Sequence, residues 1–188
     1  MKFQSLSNQF LVAMPALDDP NFSRTVTLVC QHDENGALGV TINRRVDSLK
    51  INDILNQFSL PIPTSGEIGL QPIYSGGPVH TELGLVLHKS VGNWESTLVI
   101  SDELGLTSSR DVLESISASS GPENCLLVLG YSGWVAGQLE WEIQQNTWLT
   151  VPADPSIIFE VLVDQRWKKA AASLGIDIVT LASGAGHA

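Results

Sequence analysis

Hydrophobic and polar positions alternate most clearly between Thr25 and Asn43. Val26, Leu28 and Cys30 fall on one face, Asp33-Glu34-Asn35-Gly36 supplies a turn, and Leu38, Val40 and Ile42 resume the alternation. This pattern predicts a β-hairpin. Alternating or short apolar runs rich in Val, Ile and Leu predict further strands at Pro72–Ser75, Leu83–His88, Ser96–Ser101, Cys125–Tyr131 and Trp148–Val151. Helical spacing is sparser. Ile51, Ile54, Leu55 and Phe58 mark one apolar face; Val112, Leu113 and Ile116 mark another, with Ser108 and Ser109 available as N-caps. A third helix is predicted over Ala136–Asn146, where Leu139 and Ile143 stand one turn apart. In a fourth, Trp167, Ala170, Ala171 and Leu174 share a face, with Asp164 placed to cap it and Gly175 to stop it.

Hairpins that come early, with helices inserted at irregular intervals, do not make the βαβ alternation of a doubly wound sheet, so the predicted class is α+β. The breaker-rich stretch from Pro61 to Pro72 reads as a surface loop, and Ser119-Ser120-Gly121-Pro122 as a second break. Neither separates segments of different composition. Residues 1–188 are therefore expected to form a single domain.

Composition narrows the partners. Ten basic against twenty acidic side chains give a formal charge of -10, which repels a polyphosphate backbone and anionic lipid. No direct nucleic-acid or membrane contact is expected. The apolar run Phe10–Met14 is short, is ended by Pro15 and is followed by Asp18 and Asp19, unlike a secretory leader. No stretch reaches the ~18 apolar residues of a membrane helix. A cytoplasmic location is expected, with Cys30 and Cys125 as buried thiols in β-prone runs.

Candidate chemistry concentrates between Cys125 and Asn146, which reads as a strand, a glycine-studded turn and a helix. Gly130, Gly133 and Gly137 permit a tight turn or a close approach, and a following helix would aim free N–H groups at an anion. Their G-x-x-G-x-x-x-G spacing is neither a dinucleotide fingerprint nor a P-loop, and close packing around Trp134 explains it equally. Ser132 sits where a nucleophile elbow places its serine, but Gly130-Tyr131-Ser132-Gly133-Trp134 ends in Trp where G-x-S-x-G requires Gly. Only His187 follows it. Ser75-Gly76-Gly77-Pro78 reads as a tight turn able to line a cleft. The histidines form no metal pattern: His80-Thr81-Glu82 lacks the accompanying cysteines of zinc deaminases, and Cys30 with His32 supplies two ligands at most. No metal and no cofactor are expected.

Several passages together resemble a known family. They are Gln9-Phe10-Leu11-Val12-Ala13-Met14-Pro15, Gly36-Ala37-Leu38-Gly39-Val40-Thr41-Ile42-Asn43-Arg44, Ser75-Gly76-Gly77-Pro78-Val79, Leu87-His88, Gly130 to Trp134 with Gly137-Gln138-Leu139-Glu140, and the terminal Gly186-His187-Ala188. In this order, across nearly the whole chain, they are similar to the AlgH/YqgE family of bacterial proteins. The resemblance implies a coiled, bifurcated β-sheet forming a small barrel-like core with helices around it. It implies little about activity, since the family's name comes from a proposed role in regulating alginate production. It also implies that Ala is accepted at the position of Ser132.

The expected function is that of a non-enzymatic regulatory or binding protein, acting on transcription, if at all, through a protein or small-molecule partner. Its cleft is expected near the two glycine turns: Gly76, Gly77 and Pro78 on one side, Gly130, Ser132, Gly133, Trp134 and Gln138 on the other, with Asn43, His88 and Glu140 nearby. Three other readings compete. A small hydrolase would use Ser132 with a histidine held by a carboxylate. A redox sensor would use Cys30, given a nearby cation and solvent access. Direct operator binding would need a basic surface, for which Arg44-Arg45 and Arg166 with Lys168-Lys169 are the only clusters.

Overall fold

The computed structural model describes residues 3–64, 66–90 and 92–184, so the terminal Gly186-His187-Ala188 lies outside the described residues. In chain order the elements are β1 (Gln9–Ala13), β2 (Val26–Asp33), β3 (Gly36–Thr41), β4 (Arg45–Lys50), α1 (Ile51–Gln57), β5 (Pro72–Ser75), β6 (Val79–Lys89), β7 (Thr97–Val99), β8 (Leu104–Thr107), α2 (Arg110–Ser117), β9 (Cys125–Val135), α3 (Gln138–Gln144), β10 (Trp148–Pro152), α4 (Pro155–Phe159), α5 (Arg166–Ala172) and α6 (Ile178–Gly184). The strands form one curled, largely antiparallel half-barrel in the order β10-β1-β2-β3-β9-β6-β8-β7, with β5 pairing parallel to β9 and antiparallel to β4. The class is α+β.

The hairpin between Thr25 and Asn43 forms as its alternation dictates. Asp33 pairs with Gly36 across a two-residue loop, and a bulge interrupts the ladder between Val29 and Gln31. Asp33 Oδ1 accepts from the Asn35 N–H at 2.7 Å, which pre-shapes the turn and holds that carboxyl below its usual range.

β9 is the branch point. Residues 125–131 pair with β6, Val128 and Leu129 also pair with β5 on the other side, and residues 132–135 pair with β3. The switch is made at Gly130, whose φ is +71°, and a Cβ there would lie 2.6 Å from the Gly77 carbonyl oxygen. Only glycine fits both the left-handed backbone and the close approach. The expected strand, turn and helix is thereby corrected: the strand bends at Gly130 and continues to Val135, because the open edge of β3 offers hydrogen bonds that a turn would forgo. α3 then begins at Gln138, two residues later than expected.

Several elements carry little periodic signal. β1 carries a four-residue apolar run, Phe10–Ala13, buried between β2 and β10, so it shows no alternation. The strand predicted over Ser96–Ser101 is only Thr97–Val99, and its partner β8 was not predicted because Gly105 interrupts four residues. In the last predicted helix Asp164 lies in a 3-10 turn, and Gln165 precedes α5.

The apolar side chains collect in three places. The largest cluster fills the curl of the sheet beneath α4 and α5, including Phe10, Leu28, Leu87 and Trp167. A second joins α1 and α2 to the sheet through Ile51, Leu55, Ile116 and Leu127. The third is small: Leu11, Ala13, Val29, Trp134, Leu139 and Trp148 under α3. The candidate site borders this last cluster.

Candidate functional site

Ser132 and Trp134 alternate with Gly133 and Val135 along the end of β9, so both side chains turn inward. Trp134 packs under α3, and Gln138 and Glu142 stand one turn apart on that helix. Their amide and carboxylate meet, Gln138 Nε2 donating to Glu142 Oε1 at 2.9 Å. The other carboxylate oxygen accepts from two indoles, Trp134 Nε1 at 2.9 Å and Trp148 Nε1 at 2.8 Å. Three neutral donors thus hold one carboxylate, and among the described residues no cation lies within ion-pair distance of it.

These side chains form one wall of a cavity of about 290 Å³. Leu17, Asp19 and Phe22 of the β1–β2 loop also line it, together with Pro78, Val79 and Thr147. Asp19 Oδ1 accepts from the N–H groups of Asn21 and Phe22, which folds the loop back on itself. Phe22 meets Trp148 edge to face at 5.6 Å, and Trp148 stands nearly perpendicular to Trp134 at 6.5 Å. Ser132 reaches this wall with its Oγ buried and without a hydrogen-bond partner. A wider depression of about 350 Å³ beside Ser90 and Asn124 contains no such orphan.

The two glycine turns lie side by side. A Cβ on Gly76 would fall 2.3 Å from the Gly130 oxygen, and one on Gly77 2.2 Å from the Tyr131 carbonyl carbon. These glycines permit strand to pack on strand and contribute no contact to the cavity. Pro78, Ser132, Gly133, Trp134 and Gln138 do line it. Asn43, His88 and Glu140 do not. Asn43 clamps the start of β2, accepting from the Val26 N–H and donating to the Arg24 carbonyl. Glu140 faces the other side of α3, where its Oε1 accepts from His32 Nε2 at 3.1 Å while His32 Nδ1 accepts from the Leu6 N–H. His88 is buried at the far end of the β6–β8 ladder, its Nδ1 donating to the Ser90 carbonyl and its Nε2 meeting the Thr107 hydroxyl, both at 2.8 Å. Burial lowers its pKa below the usual value.

Three readings of the sequence are corrected by this geometry. The helix after β9 is ill suited to an anion: α3 has only seven residues, the Val135 N–H just before it is taken by Gln138 Oε1, and the adjoining cavity carries carboxylates. Ser132 lies within a strand rather than at a strand-to-helix elbow, and no described histidine bonds its Oγ; His187 lies outside the described residues. Cys30 is 2% exposed among aliphatic neighbours, its pKa pushed up to about 12 by burial, so the thiolate that redox sensing needs is suppressed. Cys125 is raised to about 12 by the same cause. Arg166 also leaves the basic surface: it is buried, stacks over Tyr74 at 5.3 Å and donates to the carbonyls of Ile42 and Val161.

Glu142, Asp19 and Phe22 were not singled out from sequence as site residues, and Trp148 stood out only as one of several tryptophans and the start of a predicted strand. Gln138 and Glu142 at helical spacing were a legible signal. The convergence of Trp148 and the β1–β2 loop depends on the β10-β1-β2 pairing and was not.

A branched half-barrel with a cavity beside its junction describes an architecture, and comparison places it in a family. A family model described as AlgH-like matches residues 10–179, and the chain belongs to that family. A UPF0301 protein of Methylococcus capsulatus is 51% identical over 182 residues, covering 97% of this chain and 96% of its own. One from Azoarcus is 48% identical, covering 98% and 97%. The solution structure of the AlgH protein from Pseudomonas aeruginosa is similar throughout, with a TM-score of 0.78 and 44% identity over 100% of both chains. A protein of Corynebacterium diphtheriae shares the fold at a TM-score of 0.74 with 18% identity, covering 97% and 94%. The described residues contain no helix long and apolar enough to cross a membrane.

Proposed function

We propose that this chain is a cytoplasmic binding protein without chemistry of its own, and that its ligand occupies the cavity between α3, the end of β9 and the β1–β2 loop. The observation that carries this reading is Ser132 Oγ, 99% enclosed by its residue's burial yet unpartnered on the cavity wall. A buried hydroxyl left unbonded costs about 1–3 kcal/mol, so a fold that keeps one beside a cavity is suited to a guest that completes it. Any influence on transcription then passes through the bound partner. A net charge of -10 and an Arg166 withdrawn into the core support that indirect route over contact with DNA.

The test is an NMR screen of small organic fragments that follows the indole N–H signals of Trp134 and Trp148. Fragments should shift both signals in the wild type, and Ser132→Val, which places methyl groups where the guest would sit, should remove the shifts. A library spanning cations, anions and neutral aromatics that leaves both indoles unmoved would overturn the proposal.

A further inference from the structure

We infer that the guest of this cavity is an organic cation, an alkylammonium or guanidinium group on a short apolar stem; this rests on the cavity being a ligand site. Among the described residues the two ionisable side chains lining it are Asp19 and Glu142, both carboxylates, and no Lys, Arg or His lines it. Glu142 is positioned by three neutral N–H donors. A carboxylate accepts up to about four hydrogen bonds, so one position on it is still open to a donor.

The basic side chains of this region are engaged elsewhere: the Arg44 guanidinium donates to the carbonyls of Pro20 and Ser23, bracing the loop that presents Asp19 and Phe22, and Arg24 stacks over Trp167 at 5.8 Å. A cleft walled by carboxylates and low-dielectric rings focuses a negative potential that nothing inside it cancels. Trp134, Trp148 and Phe22 supply the apolar and π-rich surface that favours an organic cation over a hydrated metal ion. Among the described residues no group of three His, Cys, Asp or Glu could hold a metal. Ser132, whose buried hydroxyl has no partner, lines the same cavity. At about 290 Å³ the space suits a small head group on a stem, not a nucleotide.

Butylammonium and butylguanidinium, titrated into the full chain while the Trp134 and Trp148 indole signals are followed, should bind at least about ten-fold more tightly than 1-pentanol or butyrate. Added salt should weaken the cations alone. Glu142→Gln, which keeps an acceptor for the indoles, should erase that preference; Asp19→Asn should reduce it and serves if Glu142→Gln does not fold. A blocked lysine or arginine tripeptide separates the sources of this head group. Binding tighter than butylammonium assigns the site to a basic protein segment, and weaker binding assigns it to a free amine. Pentanol or butyrate binding as well as the cations overturns the charge inference and leaves the cavity reading intact. Silence from every compound overturns both.

Discussion

Ser132 sets the local tension at the residue scale. Its hydroxyl is buried at the end of β9 with no partner, while its neighbours Trp134 and Gln138 are fully engaged through Glu142. Removing the hydroxyl should therefore help the fold and harm the site. Ser132→Ala is expected to raise unfolding stability by about 1 kcal/mol while weakening any guest that uses Oγ. Urea denaturation of the two proteins checks the first part; a loss of more than about 1 kcal/mol would mean the hydroxyl has a partner in the native state. The two thiols offer no such tension. Cys30 Sγ donates to the Leu28 carbonyl at 3.5 Å within the main core, where it serves as a small apolar side chain.

At the scale of elements, β9 holds the two halves of the sheet together, and its bend places the site. Gly130→Ala would force a Cβ into a left-handed backbone and to within 2.6 Å of the Gly77 oxygen and 2.9 Å of the Val79 oxygen. The expected destabilisation is roughly 2–5 kcal/mol, combining conformational strain with overpacking. Gly137→Ala also meets a positive φ but has nothing within 4 Å of its Cβ, so it should cost only the backbone strain of about 1–2 kcal/mol. Equal midpoints for the two variants in thermal unfolding would refute the assignment of Gly130 as the packed bend. The contrast also explains what could be read in advance. The β2–β3 hairpin was legible because both its strands alternate and the turn residues lie between them. The continuation of β9 was not, since a glycine at a bend and a glycine in a turn look alike until β3 is seen to lie alongside. Likewise, Trp134 and Gln138 could be named from their own segment, but Phe22 and Asp19 reach the cavity only through the pairing of β1 with β2 and β10.

For the molecule as a whole, the pKa shifts point to a fold that weakens in acid in two stages. His88 is buried, with Nδ1 donating to a carbonyl that can only accept, so its ring proton resides there and Nε2 accepts from Thr107, itself bonded to Thr97 at 2.7 Å. Burial lowers the ring's pKa from 6.5. Between that value and the lower folded one, the unfolded chain binds a proton that the folded chain refuses, so stability should fall as pH drops through this interval and level off below it. Asp33 and Asp111 act at a lower range. Hydrogen bonds from the Asn35 N–H and the Ser109 hydroxyl lower their pKa values from 3.8, so what they contribute is present above that value and is lost as pH falls through their folded values. Both are solvent-facing, and their share is small beside that of a buried imidazole. Urea midpoints measured from pH 7.5 to pH 3 should therefore show an upper decline, and His88→Gln should flatten that decline while leaving the lower one. A midpoint constant from pH 7 to pH 5 would mean that the His88 site accepts a proton as readily as water does. The Thr107–Thr97 chain would then have to reverse, with Nε2 donating to Thr107 and the hydroxyls passing their hydrogens on to the Trp94 carbonyl that Thr97 already reaches at 3.2 Å.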